Sequence, residues 1–200
     1  LHVVLYPYIK PRHITLMAIL KIARMGHPVL KGRAEDVADP TTSEVQKLIS
    51  DMRETMADAG GVGLAAPQVH VPLRLVIFQI PATNLHQSSE EREEPVEQVL
   101  INPIIQPRSE DVEVGWEGCL SVPELRGAVP RHTRIHYQGS DEKGALIDRE
   151  AYGFHARVVQ HECDHLEGIL YPMRMTNLTS LHYTSEMRFN AETFLVSEDT

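Results

Sequence analysis

The sequence predicts a single α+β domain, with antiparallel β-sheets packed around a helix in its C-terminal half and an amphipathic helix nearer the N-terminus. Three observations carry that expectation. Two segments place apolar residues every three or four positions, the mark of a helix with one buried face. Between them lie short β-branched runs punctuated by proline, glycine and polar turns. The 200 residues, 42% hydrophobic and 24% charged, suit one hydrophobic core.

Residues 1–16, LHVVLYPYIKPRHITL, start apolar but lack the basic leader, longer apolar core and small-residue cleavage site of a signal peptide. Met17 opens a more regular stretch, so 1–16 is set apart as an upstream extension and 17–200 as the folded domain. Pro40-Thr41-Thr42-Ser43 marks a helix entry. Val45, Leu48, Ile49, Met52 and Met56 follow at helical steps toward Gly60-Gly61. Residues 73–80, apolar and bounded by Pro72 and Pro81, read as a buried strand. Residues 83–97 are polar and acidic, as in a solvated loop. Another strand spans 99–105, interrupted by Asn102-Pro103. Strands at 133–137 and 145–149 flank a turn between Gly139 and Gly144. The second helix is expected over 151–170, where Phe154, Val158, His161, His165 and Ile169 form one stripe. Gly168 lies near its end, and Tyr171-Pro172 stops it. The tail after Met175 has weak periodicity.

Composition narrows the functional classes. There are 19 Lys and Arg against 28 Asp and Glu, a formal charge of -9. That balance disfavours binding along a nucleic-acid backbone. Cys119 and Cys163 are the only cysteines, too few for a secreted disulfide framework and suited to a reducing compartment such as the cytoplasm. No apolar run approaches the roughly 20 residues that cross a bilayer.

The pentapeptide His161-Glu162-Cys163-Asp164-His165 carries the chemistry. On a helix, positions i and i+4 share a face, so both imidazoles can point at one metal ion. Glu162 follows the first imidazole directly, where its carboxylate can serve as general base toward water. A site of this kind needs a third donor. The metzincin protease pattern, H-E-x-x-H-x-x-G-x-x-H, is met at Gly168 but fails at Tyr171, which stands where the last histidine belongs. Cys119, in Glu117-Gly118-Cys119-Leu120-Ser121, is the best alternative, since thiolates bind divalent transition metals well. Without the downstream motif, a buried free cysteine would be the favoured reading of Cys119. Cys163 lies about 200° around the helix from His161 and faces away. Gly61-Val62-Gly63-Leu64-Ala65-Ala66-Pro67-Gln68 is glycine-rich, but no Lys-Ser/Thr pair follows to make a phosphate loop.

Three segments together, Gly61 to Gln68, Glu117 to Ser121 and Gln160 to Leu166, resemble the signature motifs of the peptide deformylase family, in the family's order. The resemblance covers about Met17 to Met175. It implies that 17–200 is a catalytic domain with one divalent metal ion held by Cys119, His161 and His165. The metal is usually Fe2+ in vivo, with Zn2+, Ni2+ or Co2+ in preparations. It implies hydrolytic removal of the N-formyl group from the initiator methionine of nascent polypeptides, met at the ribosome, with release of formate. Metal-bound hydroxide then attacks the formyl carbon, and Glu162 acts as general base and then acid.

By the same resemblance, the Gln68 side chain and the Leu120 backbone N–H stabilise the oxyanion. Val62, Gly63, Glu117, Arg126, Phe154, Arg157 and Val158 map to substrate-facing positions, with Phe154, Val158 and the Arg157 stem candidates for the methionine pocket. Arg131 is expected to brace Asp164. Two competing readings are a metalloendopeptidase built on the same helix and a non-catalytic metal-binding module. The first lacks a third ligand after His165, and the second leaves Gln68 and Glu162 without a purpose.

Overall fold

The run Leu75–Ile80 is apolar on both sides because both of its faces are covered. Val76, Phe78 and Ile80 join one hydrophobic cluster, while Leu75 and Ile77 join another. This strand, β2, lies second in a five-stranded antiparallel sheet. The order is β1 (Gly63–Ala65), β2, β3 (Val96–Pro107), β6 (Arg134–Ser140) and β7 (Leu146–Tyr152). A smaller sheet runs β4 (Val112–Cys119), β5 (Val122–His132) and β8 (Leu181–Tyr183). The computed structural model describes residues 18–80 and 96–189. The extension placed at 1–16, most of the expected 83–97 loop and the end of the tail lie outside those residues.

Two helices cover the faces of the larger sheet. Helix α1, Ser43–Asp58, is capped by Thr42, whose side chain accepts from the Val45 N–H at 3.4 Å. Its stripe of Val45, Ile49, Met52 and Met56 packs on Leu64, Leu75, Ile77 and Ile101. Helix α2, Gly153–Leu166, lies against the other face, where Val159, Cys163 and Leu166 meet Phe78, Leu100 and Tyr137. The small sheet packs against α2 through β5, and its own cluster of Val122, Val129, Leu170 and Tyr171 reaches Cys119. The larger sheet and the smaller one therefore meet at α2.

Several boundaries differ from expectation, each for a local reason. Helix α2 is shorter than 151–170. Ala151 and Tyr152 finish β7, and the chain leaves the helix at Gly168, whose φ of 72° is open to glycine. A side chain at Gly168 would also meet the backbone of Lys31. Ile169 thus falls outside the helical stripe. The interruption at Asn102-Pro103 is a bulge within one long strand. Register shifts between Ile101 and Ile104, and Asn102 adopts φ 51° while its amide pairs with both the N–H and the carbonyl of Val37. The tail after Met175 carries a short 3-10 turn, Leu178–Ser180, and then β8.

Candidate metal centre

The second and third sequence motifs meet where α2 faces the β4–β5 hairpin. Cys119 ends β4 and pairs with Val122, so Leu120 and Ser121 form a two-residue connection. That turn presents the Cys119 thiol to α2. The ligand atoms of Cys119, His161 and His165 lie within 4.8 Å of one another, and Cys119 Sγ stands 3.4 Å from His165 Nε2. Cys119 and Cys163 are both free. Cys163 sits in the core between α2 and the larger sheet.

The first motif completes the group. Gln68 is buried, and its Oε1 accepts from the Ala65 N–H at 2.8 Å, which fixes which end of the amide faces the thiol. Its Nε2 then donates to Cys119 Sγ at 3.4 Å and to Ser121 Oγ at 3.2 Å. Ser121 N–H also donates to Cys119 Sγ at 3.4 Å. Two N–H groups thus aim at one sulfur.

Glu162 is buried beside the ligand cluster, and its Oε2 has no hydrogen-bond partner among the described residues. Burial, with the charge of Glu117 adding to it and that of His161 opposing it, pushes its carboxyl up to about 7. Gly63 makes room for this side chain, since a Cβ there would overlap the carboxylate. Glycine at 63 is therefore required by Glu162.

The network behind the ligands is ionic. Glu117 Oε2 accepts from His161 Nδ1 at 2.8 Å, which leaves the lone pair of a neutral ring on Nε2, available to a metal ion. Arg131 donates to both oxygens of Glu117, at 2.9 and 3.0 Å, and to Asp164 Oδ2 at 2.6 Å. Arg157 reaches Glu117 Oε1 at 3.0 Å and the Val129 carbonyl at 2.8 Å. Burial raises the Glu117 carboxyl, but hydrogen bonds and charge from His161 and Arg131 outweigh it and hold the group at about 2. Arg174 adds two bonds to Asp164, at 3.1 and 2.7 Å. Arg131 and Asp164 are thus paired, and Arg174, which has no local sequence signal, shares the carboxylate.

The donor set fits a divalent cation. Burial, followed by the charge of His161, holds His165 well below its usual range, so it is neutral as a ligand must be. Burial lowers His161 too, but Cys119 and Glu117 pull it well above its usual range. The same two partners, a sulfur and a carboxylate, suit a cation in the proton's place. His165 Nδ1 is buried without a hydrogen-bond partner among the described residues.

These side chains open into a cleft of about 490 Å³. Gly63, Arg126, Phe154, Arg157 and Val158 line it together with Val62, Glu117 and Leu120. Val62 and Phe154 are exposed at its mouth, while Val158 is buried. Glu117 and the Arg157 head group are engaged with protein partners, as above. A larger groove, about 740 Å³, runs behind α2, but Arg74, Arg131 and Arg174 there are ion-paired to Glu167 and Asp164. Thr184, from the tail, also lines the cleft, and no sequence motif pointed to it.

Comparison with known proteins returns one family throughout. The family model described as polypeptide deformylase matches residues 19–180. The chain is 49% identical over 169 residues to peptide deformylase 1 of Nitrosomonas europaea, covering 84% of this chain and 94% of that protein. It is 51% identical over 175 residues to peptide deformylase 1 of Bordetella pertussis, covering 86% and 98%. Among solved structures, a class I type b peptide deformylase from Acinetobacter baumannii with Met-Ala-Ser bound superposes with a TM-score of 0.71 at 34% identity, over 80% of this chain and all of that one, 100%. The enzyme from Ehrlichia chaffeensis gives 0.73 at 30%, over 92% and 99%.

Proposed function

The chain belongs to the polypeptide deformylase family, and on that premise we propose that it hydrolyses the N-formyl group from formyl-methionine at the start of nascent polypeptides. One observation carries the reading: Gln68, Cys119, His161 and Glu162 line one cleft, and His165 joins Cys119 and His161 in a single donor group beside it. The bound Met-Ala-Ser of the Acinetobacter relative supports a peptide beginning with methionine as the ligand class.

Cys119, His161 and His165 would hold one divalent metal ion, Fe2+ in vivo, with Zn2+, Ni2+ or Co2+ able to take its place. When bound, such an ion supplies Lewis acidity, polarising the formyl carbonyl and making water more acidic. The remaining work falls to the chain. Glu162, poised near neutrality, takes a proton from the attacking water as its oxygen bonds to the formyl carbon. The carbonyl oxygen becomes negative, and the Gln68 amide and the Leu120 N–H are the donors in reach of the cleft that stabilise it. Glu162 then returns the proton to the departing nitrogen as the carbon–nitrogen bond breaks, leaving formate and a free amine.

Val62, Gly63, Phe154 and Val158 form the apolar surface for the methionine side chain, and Arg126 on β5 faces the peptide beyond it. Arg157 contributes its stem, its head being tied to Glu117, and Glu117 acts on the substrate's surroundings through His161. Among the described residues no helix is long and apolar enough to cross a membrane, and residues 17–200 act as one catalytic unit on free or ribosome-borne chains.

Formate release from formyl-Met-Ala-Ser, measured anaerobically on protein of known metal content, tests this reading. Activity proportional to bound Fe2+ is expected. Cleavage of an internal peptide bond without formate would show a metalloendopeptidase instead.

A further inference from the structure

The C-terminal segment returns to the cleft that the three motifs build. Strand β8 pairs with the free edge of β5, Leu125 opposite Tyr183 and Arg126 opposite His182. Across the sheet the His182 ring lies against Trp116 of β4, with centroids 5.8 Å apart. At the end of β8, Thr184 donates its N–H to the Glu124 carbonyl at 2.7 Å and its hydroxyl to the same oxygen at 3.1 Å. Glu124 has φ 67°, a conformation that residues with side chains rarely adopt, so this carbonyl is held where the bare turn would not keep it. Both Glu124 and Thr184 line the cleft.

Position along β5 gives the consequence. Val122 pairs with Cys119, and Glu124 lies two residues farther out, roughly 7 Å at strand spacing. An extended peptide with its formyl carbon beside Cys119 advances by the same step per residue. On a path outward along β5, its second and third residues would come level with Pro123, Glu124 and Thr184, which line the same cleft.

We propose that β8, acting through Thr184, fixes the Pro123–Glu124 rim against which the substrate binds from its third residue onward, so that the tail sets how much the enzyme gains from a longer peptide. Thr184 is a positioning residue in this scheme, working through the Glu124 carbonyl. The proposal rests on the deformylase reading above.

A graded set of variants tests it. Thr184→Ser keeps both bonds to Glu124, Thr184→Val removes the hydroxyl, and Thr184→Pro removes the N–H as well. KM and kcat are measured with formyl-Met-Ala and with formyl-Met-Ala-Ser, with thermal midpoints as a check on folding. From the net worth of single hydrogen bonds, KM for the tripeptide should rise about three-fold in the valine variant and about ten-fold in the proline variant. The ratio of tripeptide to dipeptide KM should rise with it, kcat should hold, and serine should match the parent. An unchanged ratio in a folded proline variant overturns the proposal. If the proline variant does not fold, valine indistinguishable from serine overturns it equally. No formate from either peptide with the parent protein would instead overturn the deformylase reading itself.

Discussion

Replacing Gly63 by alanine places a methyl group where the Glu162 carboxylate stands. The added Cβ would lie 2.6 Å from Glu162 Cδ and 2.8 Å from its Cγ, against an ordinary heavy-atom contact of about 3.5 Å. The carboxylate must therefore retreat by about 1 Å. Because Glu162 is buried, it has little room to do so without disturbing its neighbours. Misplacing a catalytic group by that distance costs about 100-fold in rate. The crowding itself should cost roughly 1–3 kcal/mol of stability. The assay is kcat/KM for formate release, run with metal content and thermal midpoint on the same samples. A Gly63→Ala protein with full metal and turnover within three-fold of the parent would refute both the tight fit and the proton-transfer role of Glu162.

Other expectations follow from the same geometry. Glu162→Ala should keep its metal and lose turnover by about 10²–10⁴; metal analysis beside formate release checks both halves. Arg131→Met takes from the buried Glu117 and Asp164 carboxylates the one partner they share, leaving Glu117 with His161 and Arg157 and Asp164 with Arg174, and should cost roughly 3 kcal/mol in urea unfolding. Arg174→Ala removes a half-exposed partner of the same Asp164 and should cost about 1 kcal/mol or less; equal losses in the two variants would contradict the network as described. Burial, then the charge of Arg149, lowers His155 to about 4 from the ordinary histidine value of 6.5. A neutral histidine is thus favoured in the fold, so its contribution is complete above pH 6.5 and declines as pH falls toward 4. Between pH 7.5 and 4.5 the parent should lose about 2–3 kcal/mol more than His155→Gln; parallel losses in denaturant melts would show that His155 is not the sensor.

Elements whose identity is written in local pattern were legible in the chain. The Val45-to-Met56 stripe of α1 and the apolar run of β2 needed only periodicity and length, and the i, i+4 imidazoles needed only a helix. The residues of the three motifs could be named because they lie in short contiguous strings. What escaped was decided at long range. Which side of β4 carries Glu117 depends on how the small sheet docks on α2, and that docking turns its carboxylate toward His161 and Arg131. Arg174 lies ten residues from Asp164 and meets it only because the chain leaves α2 at Gly168. Strand β8 has three residues, too few for a readable alternation, and exists because β5 offers it an edge about 60 residues away. The end of α2 was misjudged because apolar Ile169 continued the pattern after the backbone had left the helix.

Arg131 has a bearing on how an ion held by Cys119, His161 and His165 would be exchanged. Its guanidinium joins Glu117 on the hairpin to Asp164 on α2, the same two elements that bring together sulfur and imidazole donors as far as 46 residues apart in the chain. Hairpin and helix are clasped by the protein's own charges, so their meeting does not depend on what sits between them. On the proposed reading, one cation would leave and another enter a socket already shaped, without the chain having to refold around the newcomer.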